Sequence, residues 1–269
     1  MVKFCKEIFD IYDKYGINNH IKGMHNFYVP PNQILDNIIL ISGEEKHHVI
    51  NVLRLELNEH VKIFDGFGNE YLAQLKHQNG DNVVAEILEH RQIPPPKPDV
   101  TLFQGLPKFD KFDTIVQKTT ELSVSEIVPV LCQRSVPKLK RDASKKRVAR
   151  WQRIANEASK QCGRIYLPKV KEIAEFNECL TSLDFDVSLI LWEEERKLGL
   201  KSILRQNAHA ERVSLFVGPE GGFSKEEVDI AIAAGAIPVT LGSNILRTET
   251  AAIVGVALIL YELGGLGSI

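Results

Sequence analysis

The sequence predicts an α/β protein: a small, mostly β domain followed by a larger domain whose strands and helices alternate around a mainly parallel sheet. Three observations carry this. Residues 25–91 hold several short strand candidates separated by turn residues, with one helical stretch among them. Residues 94–98 contain four prolines, which can continue neither a helix nor a central strand and therefore form a stiff extended connector. From Asp99 onward, apolar strand-like runs alternate with helical periodicities, the signature of βαβ units. The expected divisions are an N-terminal extension (1–23), a small β-barrel domain (24–92), a Pro-rich linker (93–98) and the larger α/β domain (99–269).

Each element has its own signal. In the extension, Phe4, Ile8, Ile11, Tyr12 and Tyr15 recur at helical spacing, so a short amphipathic helix on an appended tail is expected, with Met24 opening the fold proper. Strands are expected at 38–42, 61–65, 71–76 and 83–88, punctuated by Gly66–Asn69 and Asn79-Gly80 and interrupted by a helix at 44–53. In the larger domain, strands are expected at 100–105, 126–131, 187–192, 213–217 and 237–241, with helices at 111–122, 144–162, 225–234 and 248–263. Phe112, Ile115, Val116 and Thr119 share one side of the first of these helices. Sheets of this kind bind ligands beyond the carboxyl ends of their strands.

Composition narrows the function classes. The net charge of −2 excludes a wholly basic nucleic-acid binder, so any polyanion must meet a local patch. Cys5, Cys132, Cys162 and Cys179 are scattered, with no Cys-x-x-Cys and no Cys/His cluster, so neither a metal site nor a disulfide framework is expected. The charged start argues against a signal peptide, and the longest apolar run, residues 251–261, is too short to span a bilayer. A reduced, cytoplasmic location without membrane contact is expected.

The patch is conspicuous. Between Arg134 and Arg153 the basic residues Arg134, Lys138, Lys140, Arg141, Lys145, Lys146, Arg147, Arg150 and Arg153 meet only Asp142, a local charge of +8 over 20 residues. Lys146, Arg150, Arg153, Lys160 and Arg164 fall on one helical face, while Val148, Trp151, Ile154, Ala155 and Ala158 fall on another that packs inward. A solvated face normally mixes its charges. A single-sign ridge repels itself unless an anion relieves it, so phosphate contact is expected, without sequence readout.

Two strand-to-helix connections look like a small-molecule pocket. Gly218-Pro-Glu-Gly-Gly-Phe223 follows an apolar strand, and Ser224-Lys-Glu-Glu227 has the form of a capping box that starts a helix. The segment has neither GxGxxG nor a terminal GK[ST], and Glu220 would repel a phosphate, so a ligand without phosphates suits it. S-adenosylmethionine is one such ligand; a plain tight turn is the alternative. The second connection, LGSNILRTETA from Leu241 to Ala251, places Arg247, Thr248, Glu249 and Thr250 at the mouth of an apolar helix, where one threonine can cap it. A capped start with an Arg–Glu surface pair is the alternative there.

Taken together, GPEGGFS and LGSNILRTETAA resemble the C-terminal signature of the SPOUT methyltransferases, and more closely that of the 16S ribosomal RNA small-subunit methyltransferase E family. The resemblance runs from about His25 to the end. In the first domain, residues 48–55 and 61–66 look like the family's PUA-like RNA-binding barrel; in the second, Lys108, Lys111, Gln117-Lys118, Glu121-Leu122, Gln161-Cys-Gly-Arg164 and Pro168 match. Asn244 stands where the family usually has a basic residue, Ser123 where it has a glycine, and residues 1–23 have no counterpart.

The resemblance implies a trefoil-knotted α/β domain, an obligate homodimer, S-adenosylmethionine as cofactor, and methylation of N3 of a decoding-region uridine (1498 in conventional rRNA numbering) in 16S rRNA of the 30S subunit. The residues at 251–260 are apolar on every face, so a partner subunit is expected to cover part of that helix. The implied cofactor-binding residues are Leu191, Gly218, Pro219, Glu220, Gly221, Gly222, Leu241, Gly242, Ile245, Leu246, Arg247, Thr248, Thr250 and Ala251. The N3 proton must leave before attack on a sulfonium methyl. Arg164 and Arg247 are therefore expected to stabilise the uracil anion or a nearby phosphate, and Glu121 or Glu249 to assist proton removal. RNA contacts are expected from Arg54, Lys108, Lys111, Lys118, Arg134, Lys146, Arg150, Arg153 and Lys160. No metal is expected. The rival functions are a non-catalytic rRNA-binding assembly factor with the same fold, and a nucleotide-using α/β enzyme.

Overall fold

The computed structural model describes residues 24–108, 110–135, 141–181 and 183–267, with residues 141–143 described by their main chain alone. The helix expected in residues 1–23 and the basic residues Lys138 and Lys140 lie outside the described residues. The chain divides into two compact units between Ile93 and Pro94.

In the first unit, β1 (Asn26–Tyr28), β2 (Ile38–Ile41), β3 (His60–Phe64), β4 (Asn69–Asn79) and β5 (Asn82–Gln92) form one sheet in the order β1-β3-β4-β5-β2. β1 runs parallel to β3, and the other ladders are antiparallel. One face buries Phe27, Ile39, Ile41, Val61, Ile63, Leu75 and Val83, the alternate residues of each strand. β4 and β5 reach well past the expected 71–76 and 83–88. Their polar ends, His77–Asn79 and Glu89–Gln92, show no hydrophobic alternation, yet the hairpin ladder satisfies their backbone. The helix expected at 44–53 is broken: α1 (Gly43–His47) passes into a π-helical turn at His48–Val52, and Arg54 follows with φ of 54°.

In the second unit, β6 (Asp99–Gly105), β7 (Glu126–Leu131), β8 (Lys169–Val170), β9 (Ala174–Glu175), β10 (Val187–Leu191), β11 (Arg212–Val217) and β12 (Ile237–Val239) form a wholly parallel sheet. Its order is β12-β10-β11-β6-β7-β8, with β9 also paired to β7. The helices are α2 (Lys111–Glu121), α3 (Arg141–Cys162), α4 (Phe176–Cys179), α5 (Leu200–Gln206), α6 (Lys225–Ala233) and α7 (Thr248–Glu262). β8, β9, α4 and α5 carry no sequence signal of their own, being two to seven residues long.

Strand residues alternate between two cores. Leu102, Ile127, Leu189 and Leu215 face one side with Phe112, Ile115 and Trp151. Phe103, Val128, Ile190 and Phe216 face the other with Phe176, Phe223 and Val228. Burial on both faces is why these strands read as unbroken apolar runs. α7 lies against β6 and β11 through Ala252, Gly255, Val256 and Ile259. A Cβ at Gly255 would stand 2.8 Å from the end of the Leu215 side chain, which would have to shift to admit it. The outer side of the helix is uncovered: Leu258 is 42 % exposed and Tyr261 65 %.

Candidate functional site

The carboxyl ends of β10, β11 and β12 come together, and the three loops that leave them enclose a cavity of about 500 Å³. That volume lies within the usual range for a small-molecule site. Its walls are Leu191, Trp192, Val217, Val239, Leu241, Ile245, Leu246 and Ala251, together with the backbone of Gly218–Gly222 and Gly242. Glu193, Glu220, Lys111, Arg196 and Arg247 supply its charges.

Glycines shape the loop after β11. Gly222 holds a φ of 66°, and a Cβ there would lie 2.4 Å from a Glu193 carboxylate oxygen. Gly105, at the end of β6, passes so close beneath the loop that a Cβ would stand 2.6 Å from Pro219 Cδ and 2.7 Å from its nitrogen. Beyond the loop, Ser224 caps α6 in a full capping box with Glu227. The buried Glu227 carboxylate also accepts from the Gln133 N–H at 2.8 Å, which ties the end of β7 to the loop.

A buried polar bridge joins the two pocket loops. Thr248 Oγ1 donates to the Gly218 carbonyl at 2.6 Å and accepts from Gln104 Nε2 at 2.9 Å, and Nε2 also donates to the Gly105 carbonyl at 2.8 Å. This corrects the expectation that a threonine caps α7. The N-cap position is Arg247, without a side-chain cap, and the Thr248 hydroxyl is committed to the neighbouring loop.

At the rim, Lys111 from the first turn of α2 stands between two carboxylates, 3.1 Å from Glu220 and 3.4 Å from Glu249. Glu220 also accepts from the Lys108 N–H at 3.1 Å. Hydrogen bonding to Glu220 outweighs burial and holds the Lys111 ammonium above its usual pKa. For Glu220, burial opposes ionisation, but hydrogen bonds from its own N–H, Lys111 and Lys108 together hold the carboxyl below the usual range. The Glu249 oxygen that faces Lys111 is buried and has no closer hydrogen-bond donor.

The expected site residues divide sharply. Every expected cofactor residue lines the cavity except Thr250, which is exposed on the first turn of α7. Of the expected catalytic residues, Arg247 lines the cavity and Glu249 adjoins it through Lys111, whereas Arg164 and Glu121 do not reach it. Arg164 is also not on the exposed basic face. It follows the end of α3 beyond Gly163 (φ 75°), turns inward and donates to the Thr120 carbonyl at 3.2 Å; burial lowers its pKa to about 10. Glu121 pairs with Lys118 at 2.8 Å.

The expected RNA contacts are equally mixed. Lys146 and Arg153 are exposed on α3, as are Lys108 and, in the first unit, Arg54. Arg150 is held by Asp113 and Asp110, and Lys160 is 2.5 Å from Glu157. Arg134 donates to the Gly221 carbonyl at 2.8 Å, so it braces the loop after β11. Trp192, Glu193, Arg196, Thr240 and Asn244 line the cavity without having been expected there. The first three follow β10, whose last residue, Leu191, is the one position there expected at the site; the strand order brings the rest of the loop to it. Gln104 and Gly105 leave no sequence signal, because their roles arise from contacts more than 110 positions away.

Comparison with known proteins agrees with this geometry. A family model described as an RNA methyltransferase domain matches residues 94–260, and one described as an RNA methyltransferase PUA domain matches residues 41–88. The chain is 33 % identical over 231 residues to the ribosomal RNA small subunit methyltransferase E of Bacillus subtilis, covering 82 % of this chain and 89 % of the relative. To that of Synechocystis it is 32 % identical over 237 residues, covering 87 % and 76 %. The crystal structure of a ribosomal RNA small subunit methyltransferase E from Neisseria gonorrhoeae bound to S-adenosyl methionine superposes with a TM-score of 0.79 at 33 % identity, covering 88 % of this chain and 97 % of that one. From the matched domains, the identity over most of its length and the shared fold, the chain belongs to the ribosomal RNA small subunit methyltransferase E family.

Proposed function

We propose that this protein methylates N3 of a uridine in the decoding region of 16S rRNA, using S-adenosylmethionine, as a homodimer acting on the small ribosomal subunit in the cytoplasm. The observation that carries the reading is the cavity itself, built from the Gly218–Gly222 and Leu241–Thr248 segments. Its residues fit the cofactor. Two carboxylates, Glu193 and Glu220, would repel a phosphate but suit a ligand bearing a sulfonium and an ammonium. Trp192, Leu191, Val239 and Leu246 offer apolar walls to an adenine, and the glycine backbone offers close polar contacts. Arg196 and Arg247 are the cations available to a carboxylate.

S-adenosylmethionine supplies an electrophilic methyl group. The chain's own residues prepare the acceptor. Glu249, whose carboxylate stands beside Lys111 at the rim, takes the N3 proton of the uracil. Lys111 stays protonated beside it and offsets negative charge at the reacting base, a role that Arg247, also lining the cavity, shares. Glu121 ends α2 in a pair with Lys118, and Arg164 donates to the Thr120 carbonyl of the same helix end.

The dimer and the knot belong to the same reading. Ile245 lines the cavity yet is 80 % exposed, and Leu258 and Tyr261 on α7 are uncovered, a surface that a second copy would bury. The C-terminal segment through α7 is taken to be threaded as a trefoil. Lys146 and Arg153 on α3 would meet rRNA phosphates.

Calorimetry with S-adenosylmethionine and ATP, followed by methyl transfer to small subunits lacking the modification, tests the reading. The expected result is binding of the first ligand alone and a methyl group mapped to N3 of one uridine. No S-adenosylmethionine binding would overturn it, and binding without transfer would make the protein an assembly factor.

A further inference from the structure

The β3–β4 turn of the first unit is built around a buried carboxylate. Asp65, 4 % exposed, accepts from the Phe67 N–H at 2.7 Å and the Asn69 N–H at 3.1 Å through one oxygen, and from Asn69 Nδ2 at 2.6 Å through the other. Gly66 and Gly68 take φ of 85° and 97°, conformations that favour glycine. The Gly68 carbonyl accepts from the Ile93 N–H at 2.8 Å, and Asn69 Oδ1 lies 2.9 Å from His90 Nε2. A loop anchored at so many points holds one shape. At its apex Phe67 is 66 % exposed.

Other rings gather at this end of the sheet. Tyr28 pairs in register with Phe64, the residue before Asp65. Tyr71 pairs with His90, and their rings stack at 4.7 Å and 14°. Burial, and then the charge of Asp65, push both tyrosine hydroxyls up in pKa, so both lie within electrostatic reach of that carboxylate.

A fixed turn that presents one large ring to water spends apolar exposure on something other than folding. The ring is too small for a stable protein interface, which needs roughly 1,000 Å² or more. It does match the face of one nucleobase. We propose that Phe67, on the turn braced by Asp65, is a stacking platform for an unpaired base of the RNA substrate, outside the catalytic cavity. This rests on the RNA-methyltransferase reading above.

The test compares wild type, Phe67→Ala and Phe67→Trp for binding to small subunits lacking the modification and to a short oligouridylate. S-adenosylmethionine affinity is measured alongside. Loss of one stacked base predicts that Phe67→Ala weakens RNA binding about 5- to 150-fold. Phe67→Trp should stay close to wild type, its added indole emission should be quenched on RNA binding, and cofactor affinity should be the same in all three. Phe67 touches no core, so the alanine variant folds. Wild-type RNA affinity in Phe67→Ala would overturn the proposal while leaving the methyltransferase reading standing, provided wild type methylates the subunits. A changed oligomeric state in Phe67→Ala would overturn it in favour of a contact between copies. Failure of wild type to bind RNA at all would overturn both.

Discussion

Replacing Gly105 by alanine should deform the cavity proposed to hold S-adenosylmethionine, although the residue lies 113 positions before Gly218. The added Cβ would stand 2.6 Å from Pro219 Cδ, 2.7 Å from Pro219 N and 3.0 Å from Gly218 C. Carbon atoms in contact prefer about 3.5–4.0 Å, so one side must retreat by roughly 1 Å. β6 cannot, because it is hydrogen-bonded to β7 and β11 on both edges. The loop after β11 must therefore move towards the cavity. Overpacking of this kind costs about 1–3 kcal/mol. For a unit of this size that lowers Tm by roughly 2–12 °C. If binding must restore the native loop, S-adenosylmethionine affinity falls about 5- to 150-fold. Calorimetry and thermal melting read both quantities. Gly199→Ala is the control, since its Cβ meets nothing within 4 Å, and cofactor affinity should be unchanged there. Wild-type affinity and melting in Gly105→Ala would refute the argument that backbone contact with β6 sets the position of the pocket loop.

Further outcomes follow from other contacts. Thr248→Val removes the bridge between Gln104 and Gly218 and should cost about 1–3 kcal/mol of stability, read by denaturant unfolding, with weakened cofactor binding. Glu249→Gln should slow methyl transfer by about 10²–10⁴-fold in single-turnover assays while leaving cofactor affinity near wild type, whereas Glu121→Gln, remote from the cavity, should not. Lys146→Ala and Arg153→Ala should each weaken RNA binding and each lower the salt slope of log K by about 1. Burial raises the thiol pKa of Cys179 to about 11 and that of Cys132 further, so at pH 8 both remain protonated and resist alkylation. The exposed Cys162 should be modified before either of them, as peptide mass mapping will show.

Where one side chain's neighbours are local in sequence, the sequence was enough. The capping box at Ser224 and Glu227 formed as its spacing indicates, because both partners lie within one helical turn. The buried side of α2, with Phe112, Ile115, Val116 and Thr119, follows from helical period alone. The two pocket segments were legible because glycine and polar residues concentrated between an apolar strand and a helix have few other uses.

What the tertiary structure decided depends on which strand ends are neighbours. The order β12-β10-β11-β6 brings Trp192, Glu193 and Arg196 to the cavity and sets Gly105 beneath Pro219, relations that no local pattern encodes. It also divided the charged candidates. Helical spacing placed Arg164 with Lys146 and Arg153, but α3 ends at Cys162, and the positive φ of Gly163 turns the guanidinium inward to Thr120. Glu121 and Glu249 look alike in sequence, yet only Glu249 meets Lys111 at the rim. By itself, then, the sequence determined the α/β class, the two pocket segments and the family, because each is written in short-range pattern. Which charges face the cavity was decided by long-range packing, because charge proximity is a property of the folded arrangement and not of spacing along the chain.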